Sequence, residues 1–416
     1  MALPKLIPAL ADLTQDIAGP LPVELLREWV SGHQNLDKAT SLLQPFAIRG
    51  TVVATDSSGL SRMTEERDLL DVLSLVSQPK EIVHAMGVAA GGRAIGTWVA
   101  DNTEMHYAPE VAIEAIVGAM VEAQARIAAD TEIRIGMCVH QGEFYEIGGG
   151  LYGRHADTVE YLAERFAAPG EILLTQPVAE YVMDRCGPIA PRRELDVIYR
   201  AGVWSLTDGK RLSSAADGTG IGTAAYPHPF PDPFFRSLLR LRTTDTPGEL
   251  RAEIYRTHLH DRTIVFIARE RDTVDSGSIT SLLDDLATNA VMEAVIDGSA
   301  PADRIASLGG GLAILCFEDT QAAVDASLTI RDAFVESGLP VKIGIDAGPV
   351  LVFTNRRGRS GISGDAVNIA SKIAEDIGIV NMISVTSRAA RAVRGLNGAV
   401  PFHATVSRVS ISGIRW

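Results

Sequence analysis

Cysteine is scarce in this chain: Cys138, Cys186 and Cys316 are the only three in 416 residues. They are too few and too scattered for a disulfide framework or a zinc site. Each reads as a small core residue in a reducing compartment. Long apolar runs are missing too, and no window approaches the roughly 18 uninterrupted apolar residues of a membrane-spanning helix. The opening Met1-Ala2-Leu3-Pro4-Lys5 lacks the apolar stretch and small-residue cleavage site of a secretory leader. A cytoplasmic location with no membrane partner is expected. Basic residues are in the minority, 38 Lys and Arg against 52 Asp and Glu, for a net charge of -14. That balance argues against a nucleic-acid partner, which needs a basic field. A bound nucleotide is still open to it, because backbone amides, a metal and a few local cations can hold an anion.

What is present is an ordinary globular composition, 46% hydrophobic and 22% charged, in a chain longer than one core usually serves. Residues 1–44 read as an N-terminal helical segment: Leu6, Leu10, Leu13 and Ile17 recur at helical spacing, and short helices follow over Pro22–Val30 and Asp37–Leu43. From about residue 45 to 206, strands alternate with helices. The helix over Asp68–Met86 is expected to break or kink at Pro79. Ala94–Val99 and Glu104–Tyr107 read as strands around a tight turn, Glu110–Ala129 as a helix, and Ile133–Val139 as a strand before a glycine-rich loop. Residues 207–258 are rich in glycine and proline and read as a linker with one short helix near Phe234–Leu241. Residues 259–416 return to strands and helices, and this alternation indicates an α/β or α+β layer fold.

Two stretches echo each other. Ile133-Arg134-Ile135-Gly136-Met137-Cys138-Val139-His140-Gln141-Gly142 is matched by Val341-Lys342-Ile343-Gly344-Ile345-Asp346-Ala347-Gly348, at an offset of about 207 residues. An internal duplication is the reading.

In the first repeat, Thr51-Val52-Val53-Ala54-Thr55-Asp56 is a β-prone strand that ends on an acid, followed by the small residues Ser57, Ser58 and Gly59 and by Leu60. A carboxylate beside unpaired backbone N–H groups can hold a phosphate and a divalent cation together. A strand that simply stops at a polar turn accounts for the same residues.

Ser363-Gly364-Asp365-Ala366-Val367-Asn368-Ile369-Ala370-Ser371-Lys372 resembles the signature "W-G-D-x-V-N-x-A-S-R" of class III nucleotidyl (adenylyl and guanylyl) cyclases. Ile343-Gly344-Ile345-Asp346-Ala347-Gly348 is similar to that family's "I-G-I-H-x-G", and Pro169-Gly170-Glu171-Ile172-Leu173-Leu174 to its "P-G-E-I-L-V-S". The resemblance covers about 45–206 and 259–416. It implies two ferredoxin-like βαββαβ cyclase homology domains, the second degenerate, forming an intramolecular pseudo-heterodimer. A homodimer with the halves exchanged between chains is the other arrangement it allows.

By the same resemblance, Asp56 and Asp101 match the family's two metal-binding aspartates. They would hold two Mg²⁺ or Mn²⁺ ions, with Ser57, Ser58, Gly59 and Leu60 around the phosphates. Asn368 and Lys372 match the Asn and Arg that serve the transition state, the lysine keeping the charge but not the bidentate fork. Ser307 and Gly361 stand where base-selecting side chains are expected, and neither carries the family's residue. Asp157 aligns with Asp365, which sets Glu160 and Glu164 at the places of Asn368 and Lys372. Gly311 is expected where a second-repeat counterpart of Asp101 would be. The implied function is conversion of ATP, in preference to GTP, to 3′,5′-cyclic AMP and pyrophosphate. The alternative is a catalytically inactive cyclase-like module that binds a nucleotide or a protein.

Overall fold

The structure is a computed structural model that describes residues 22–58, 67–98, 102–183, 188–195, 202–206, 225–270, 278–354, 360–395, 398–406 and 409–416. It forms two compact units, one of Met1–His228 with Asp275–Leu283, the other of Pro229–Val274 with Asp284–Trp416.

In the first unit a helix over Val23–Ser31 and another over Leu36–Leu43 precede β1, Ala47–Ser58. Asn35 starts the second helix by accepting a hydrogen bond from the Lys38 amide, which satisfies one of the donors that every helix start leaves open. The helix Leu69–Ala89 is capped in the same way by Asp68 and runs without a break through the buried Pro79. The expected interruption is absent, because burial of this helix face outweighs the one hydrogen bond that a proline removes. Then come β2 (Arg93–Ala94), β3 (Thr103–Tyr107), the helix Ile113–Asp130, β4 (Arg134–Ile147) and β5 (Gly150–Tyr152). β2 is shorter than the strand expected over Ala94–Val99. β4 is longer than expected and runs through Gly142 to pair with β5. The helix Arg154–Arg165, β6 (Ile172–Thr175), the helix Gln176–Val182, β7 (Ile189–Pro191) and β8 (Val203–Leu206) complete the unit.

The sheet order is β2-β3-β1-β4-β6-β8-β7, with β5 on β4. Its first four strands, with the helices Leu69–Ala89 and Ile113–Asp130 between them, are a ferredoxin-like βαββαβ core. One face of the sheet packs Val52, Ala54 and Cys138 against Val159, Leu162 and Ala163 of the Arg154–Arg165 helix.

The second unit opens with the helix expected near Phe234–Leu241, here Asp232–Leu241, and adds another, Pro247–His258, where only linker was expected. Pro233 and Pro247 sit in first helical turns, where a missing N–H costs nothing. They are followed by β9 (Leu259–Arg269), the helix Ile279–Ser299, β10 (Ile305–Gly309), β11 (Leu312–Phe317), the helix Thr320–Ser337, β12 (Val341–Thr354) and β13 (Ser360–Ser363). The helix Asp365–Glu375, β14 (Ile383–Thr386), the short helix Ser387–Ala390, β15 (Val400–Val406) and β16 (Val409–Arg415) end the chain. The order β10-β11-β9-β12-β14-β16-β15, with β13 on β12, repeats the first sheet strand for strand. The duplication read from two short peptides therefore extends to the whole topology. Among the described residues no helix is long and apolar enough to cross a membrane.

Two glycines explain why the shared motif is legible. A Cβ on Gly136 would lie 2.6 Å from the Cβ and the carbonyl oxygen of Ala167, and one on Gly344 would lie 2.3 Å from the carbonyl oxygen of Ala370. In each unit the chain crosses the sheet at a distance that only glycine permits.

Candidate functional site

β1 is the middle strand, paired antiparallel with β3 on one side and β4 on the other. Thr55 and Thr103 face each other and share a buried hydrogen bond of 2.7 Å between their hydroxyls. Asp56, the next residue, is half-buried and stands opposite Gly136. It does not end the strand on that side, since pairing continues through Ser57 with Ile135 and Ser58 with Arg134. Ser57 and Ser58 are thus strand residues and not a turn. The Ser57 side chain is buried and, by the alternation of a strand, on the other face from Asp56. Asp101, Gly59 and Leu60 lie outside the described residues.

The face of β1 that carries Asp56 holds a group the sequence did not single out. Ala54 is directly opposite Glu104 on β3, so Glu104 and Asp56 share a face two residues apart along the strand direction. Glu104 is only 2% exposed, and its Oε1 has no hydrogen-bond partner. Burial pushes its carboxyl up to about 8, against the pull of Arg93 and with a further push from Glu146. Arg93 is itself engaged with Glu146 through two hydrogen bonds of 2.8 and 2.6 Å.

The Arg154–Arg165 helix closes over this face. Asp56, Asn102, Glu104, Glu160 and Glu164 line one small cleft with about 10 Å³ of free volume, the room one water or one ion needs. Glu160 and Glu164 are one turn apart on the same side of their helix. The alternation of β3 gave no warning of Glu104, because all five of its residues are buried. The cost of an acid there is visible only once its neighbours are placed.

The corresponding places in the second unit hold different chemistry. His140 faces Val52 and Asp346 faces Ile264, each bonded to a threonine of the next strand, so Ala268, opposite Lys342, stands where Asp56, opposite Gly136, does in the first unit. Phe317 faces Thr263 as Tyr107 faces Thr51, and Ala313 faces Ile267 as Thr103 faces Thr55. By this register the counterpart of position 101 is Gly311, as the hairpin suggested. The Asp157 amide donates to the Gly153 carbonyl as the Asn368 amide does to that of Gly364, so Asp157 and Tyr161, and not Glu160 and Glu164 as expected, stand at the places of Asn368 and Lys372. Asn368 lies exposed in the first half of the helix Asp365–Glu375 and Lys372 half-buried one turn on, on one helix face. Ser307 is half-buried on β10, beside an irregularity in its pairing with β11. Gly361 on β13 is opposite Phe353, whose ring would lie 2.2 Å from a Cβ at that position. Phe353 packs in turn on Phe230 and Phe234. A side chain that reads a base edge from position 361 would have to displace this aromatic group. β10 and β13 are neighbours, so Ser307 and Gly361 come from adjoining strands.

The place of the motif's histidine is structural in both units. His140 is buried, with Nδ1 2.8 Å from the Thr175 hydroxyl. Its counterpart Asp346 is fully buried, accepts a 2.5 Å hydrogen bond from the Thr386 hydroxyl and pairs with Arg388. The same hydroxyl position therefore satisfies an imidazole in one unit and a carboxylate in the other.

Neither a protein-family model nor a curated protein sequence matches the chain. Among solved structures, the chain is similar to a class III adenylyl cyclase-like ATP-binding protein from Pseudomonas aeruginosa, at 12% identity and a TM-score of 0.48, over 83% of this chain and 85% of that one. It is also similar to the adenylyl cyclase CyaB from P. aeruginosa, at 16% identity and a TM-score of 0.35, over 40% of this chain and 96% of that one. A third likeness is to the guanylyl cyclase domain of the RhoGC fusion protein from the aquatic fungus Blastocladiella emersonii, at 14% identity and a TM-score of 0.34, over 39% and 98%.

Proposed function

We propose that the chain is a class III cyclase-like protein whose two repeats divide one nucleotide site between them, Asp56 and Asp101 from the first and Asn368 and Lys372 from the second. One observation carries this reading. At equivalent places the first repeat has Asp56 and the second Ala268, while the first has Asp157 and Tyr161 and the second Asn368 and Lys372. Each repeat keeps the groups that the other has lost.

The reaction is conversion of ATP to 3′,5′-cyclic AMP and pyrophosphate. The ribose 3′-oxygen bonds to the α-phosphorus, and the bond from that phosphorus to the bridging oxygen of the leaving pyrophosphate breaks. Among the described residues no three His, Cys, Asp or Glu side chains converge on one metal position. The donors around Asp56 are nonetheless all oxygen, which suits Mg²⁺ or Mn²⁺, and Mg²⁺ needs only one or two carboxylates beside its waters and the phosphates. Two such ions, when bound, would acidify the 3′-hydroxyl and neutralise the triphosphate. Asp56 would anchor them, with Asp101. Asn368 would orient the ribose, and Lys372 would place positive charge beside the phosphorus as negative charge builds on its oxygens. The protein works in the cytoplasm on this reading, as a monomer with paired halves or as a homodimer that exchanges them.

A second reading is favoured by Gly361. With Phe353 beneath it and no side chain to read a base, the nucleotide would be bound without turnover, and the protein would signal by conformation or through a protein partner. The deciding experiment is an assay with ATP and with GTP in the presence of Mn²⁺, for the wild type and for Asp56→Ala. Cyclic product that disappears in the variant supports the enzyme. Thermal stabilisation by nucleotide with no cyclic product supports the binding module.

A further inference from the structure

We infer that Glu104 is an additional oxygen ligand of a divalent cation seated in the Asp56 cleft. The inference deepens the reading of Asp56 given above and rests on it. Three observations converge. Glu104 and Asp56 project from the same face of adjoining strands, and the register sets them as diagonal neighbours, about 7–8 Å apart at their strand positions. A three-carbon side chain and a ligand bond of about 2.1 Å span that separation from the Glu104 side.

The second observation is that Glu104 is 2% exposed and its Oε1 has no partner. A buried polar atom left this way is costly and asks for an explanation. A cation in the cleft supplies one. The third is the company it keeps. Glu160 and Glu164 line the same cleft, so four acids with no basic side chain among them surround a space that admits one ion. Repulsion among these groups favours a small, doubly charged guest over a second water. Mg²⁺ or Mn²⁺ would take one oxygen from each of Asp56 and Glu104 and fill the remaining positions with water and phosphate.

The position of Glu104 also suits the task. Its strand neighbours Met105 and Tyr107 are fully buried, and Thr103 is bonded to Thr55. The backbone that carries the ligand is therefore held on both sides, which limits the reorganisation needed when an ion arrives.

The test is Mn²⁺ binding to the full chain without nucleotide, followed by electron paramagnetic resonance of free Mn²⁺, with melting temperature measured in parallel. Wild type is compared with Glu104→Gln, Asp56→Asn and, as a control for loss of one charge, Glu143→Gln. Glu104→Gln is expected to weaken Mn²⁺ binding about tenfold or more and to lose most of the rise in melting temperature that Mn²⁺ gives the wild type. Glu143→Gln should behave as the wild type. Glu104→Asp, which keeps the charge one carbon further back, should fall between, and it carries the test if the glutamine variant does not fold. Weakened binding in Asp56→Asn with wild-type binding in both Glu104 variants would overturn the inference and leave the reading of Asp56 standing. Equal Mn²⁺ binding in the wild type and every variant, or none in any, would remove both.

Discussion

Nε2 of His140 lies 2.7 Å from Nδ1 of His155, with the two rings stacked 4.9 Å apart. One proton at most can sit between those nitrogens, and the pair is stable only while both rings are neutral.

A pH dependence of stability follows from this pair. Burial, and the neighbouring His155, hold His140 down at about 3 from an ordinary 6.5. His155 is lowered by burial and by Arg154, with Glu143 pulling the other way. Between the folded and unfolded values the unfolded chain binds protons that the native one refuses, so stability rises with pH across that window. The contribution is complete above about 6.5 and is lost progressively as the pH falls towards 3, at up to about 1.4 kcal/mol per pH unit for His140. Urea unfolding at a series of pH values should give a visibly shallower slope for His140→Gln than for the wild type. An unchanged slope would mean that the pair is not what the acid limb reports.

Gly344→Ala should destabilise the second unit by about 1–3 kcal/mol. The obstacle is the backbone of the Asp365–Glu375 helix, whose Ala370 carbonyl oxygen and Ala374 amide nitrogen would lie 2.3 and 2.9 Å from the new methyl group. Because backbone cannot rotate away, the helix has to move. A drop in melting temperature, with a change in the environment of Asn368, is the expected result; a melt equal to the wild type would mean that helix and sheet are further apart.

Asp346→Ala should cost about 3–5 kcal/mol. It removes a fully buried carboxylate and leaves Arg388 and the Thr386 hydroxyl without it. Arg388 also reaches Asp365, at 3.4 Å, so part of its charge stays compensated and the loss should fall at the lower end. Denaturant unfolding of Asp346→Ala alone and combined with Arg388→Met measures this. The double variant should recover much of the loss, since the stranded charge is then gone.

Asn289→Leu should be neutral or stabilising by about 1 kcal/mol. Asn289 is 2% exposed on the Ile279–Ser299 helix and its side-chain oxygen has no partner. Replacing an unsatisfied amide by an apolar side chain of similar size removes a desolvation cost. A loss of more than 1 kcal/mol in the same unfolding experiment would mean that the amide is satisfied in solution.

The repeat was legible because its marks are glycines under steric demand. Gly136 and Gly344 cannot be replaced where a second segment crosses the sheet, so the peptides around them keep a recognisable form. The strand under Asp56 and the helix under Asn368 were legible for a related reason, since each has a strong local pattern. The segment before β9 misled because prolines in first helical turns have the same composition as a linker. Pro79 misled because tertiary burial decides whether a helix survives one missing donor. Glu104 was hidden by full burial of β3, where neither face alternates with water.

Ala268 has a consequence for stoichiometry. A methyl group in the place of Asp56 removes the acid anchor from one of two otherwise equivalent positions in each chain. On the proposed division of labour, titration with nucleotide therefore ends at one equivalent per polypeptide, along a simple hyperbola. A symmetric assembly of two identical cyclase domains offers a pair of sites that can influence one another, and on this proposal the polypeptide would offer a single one.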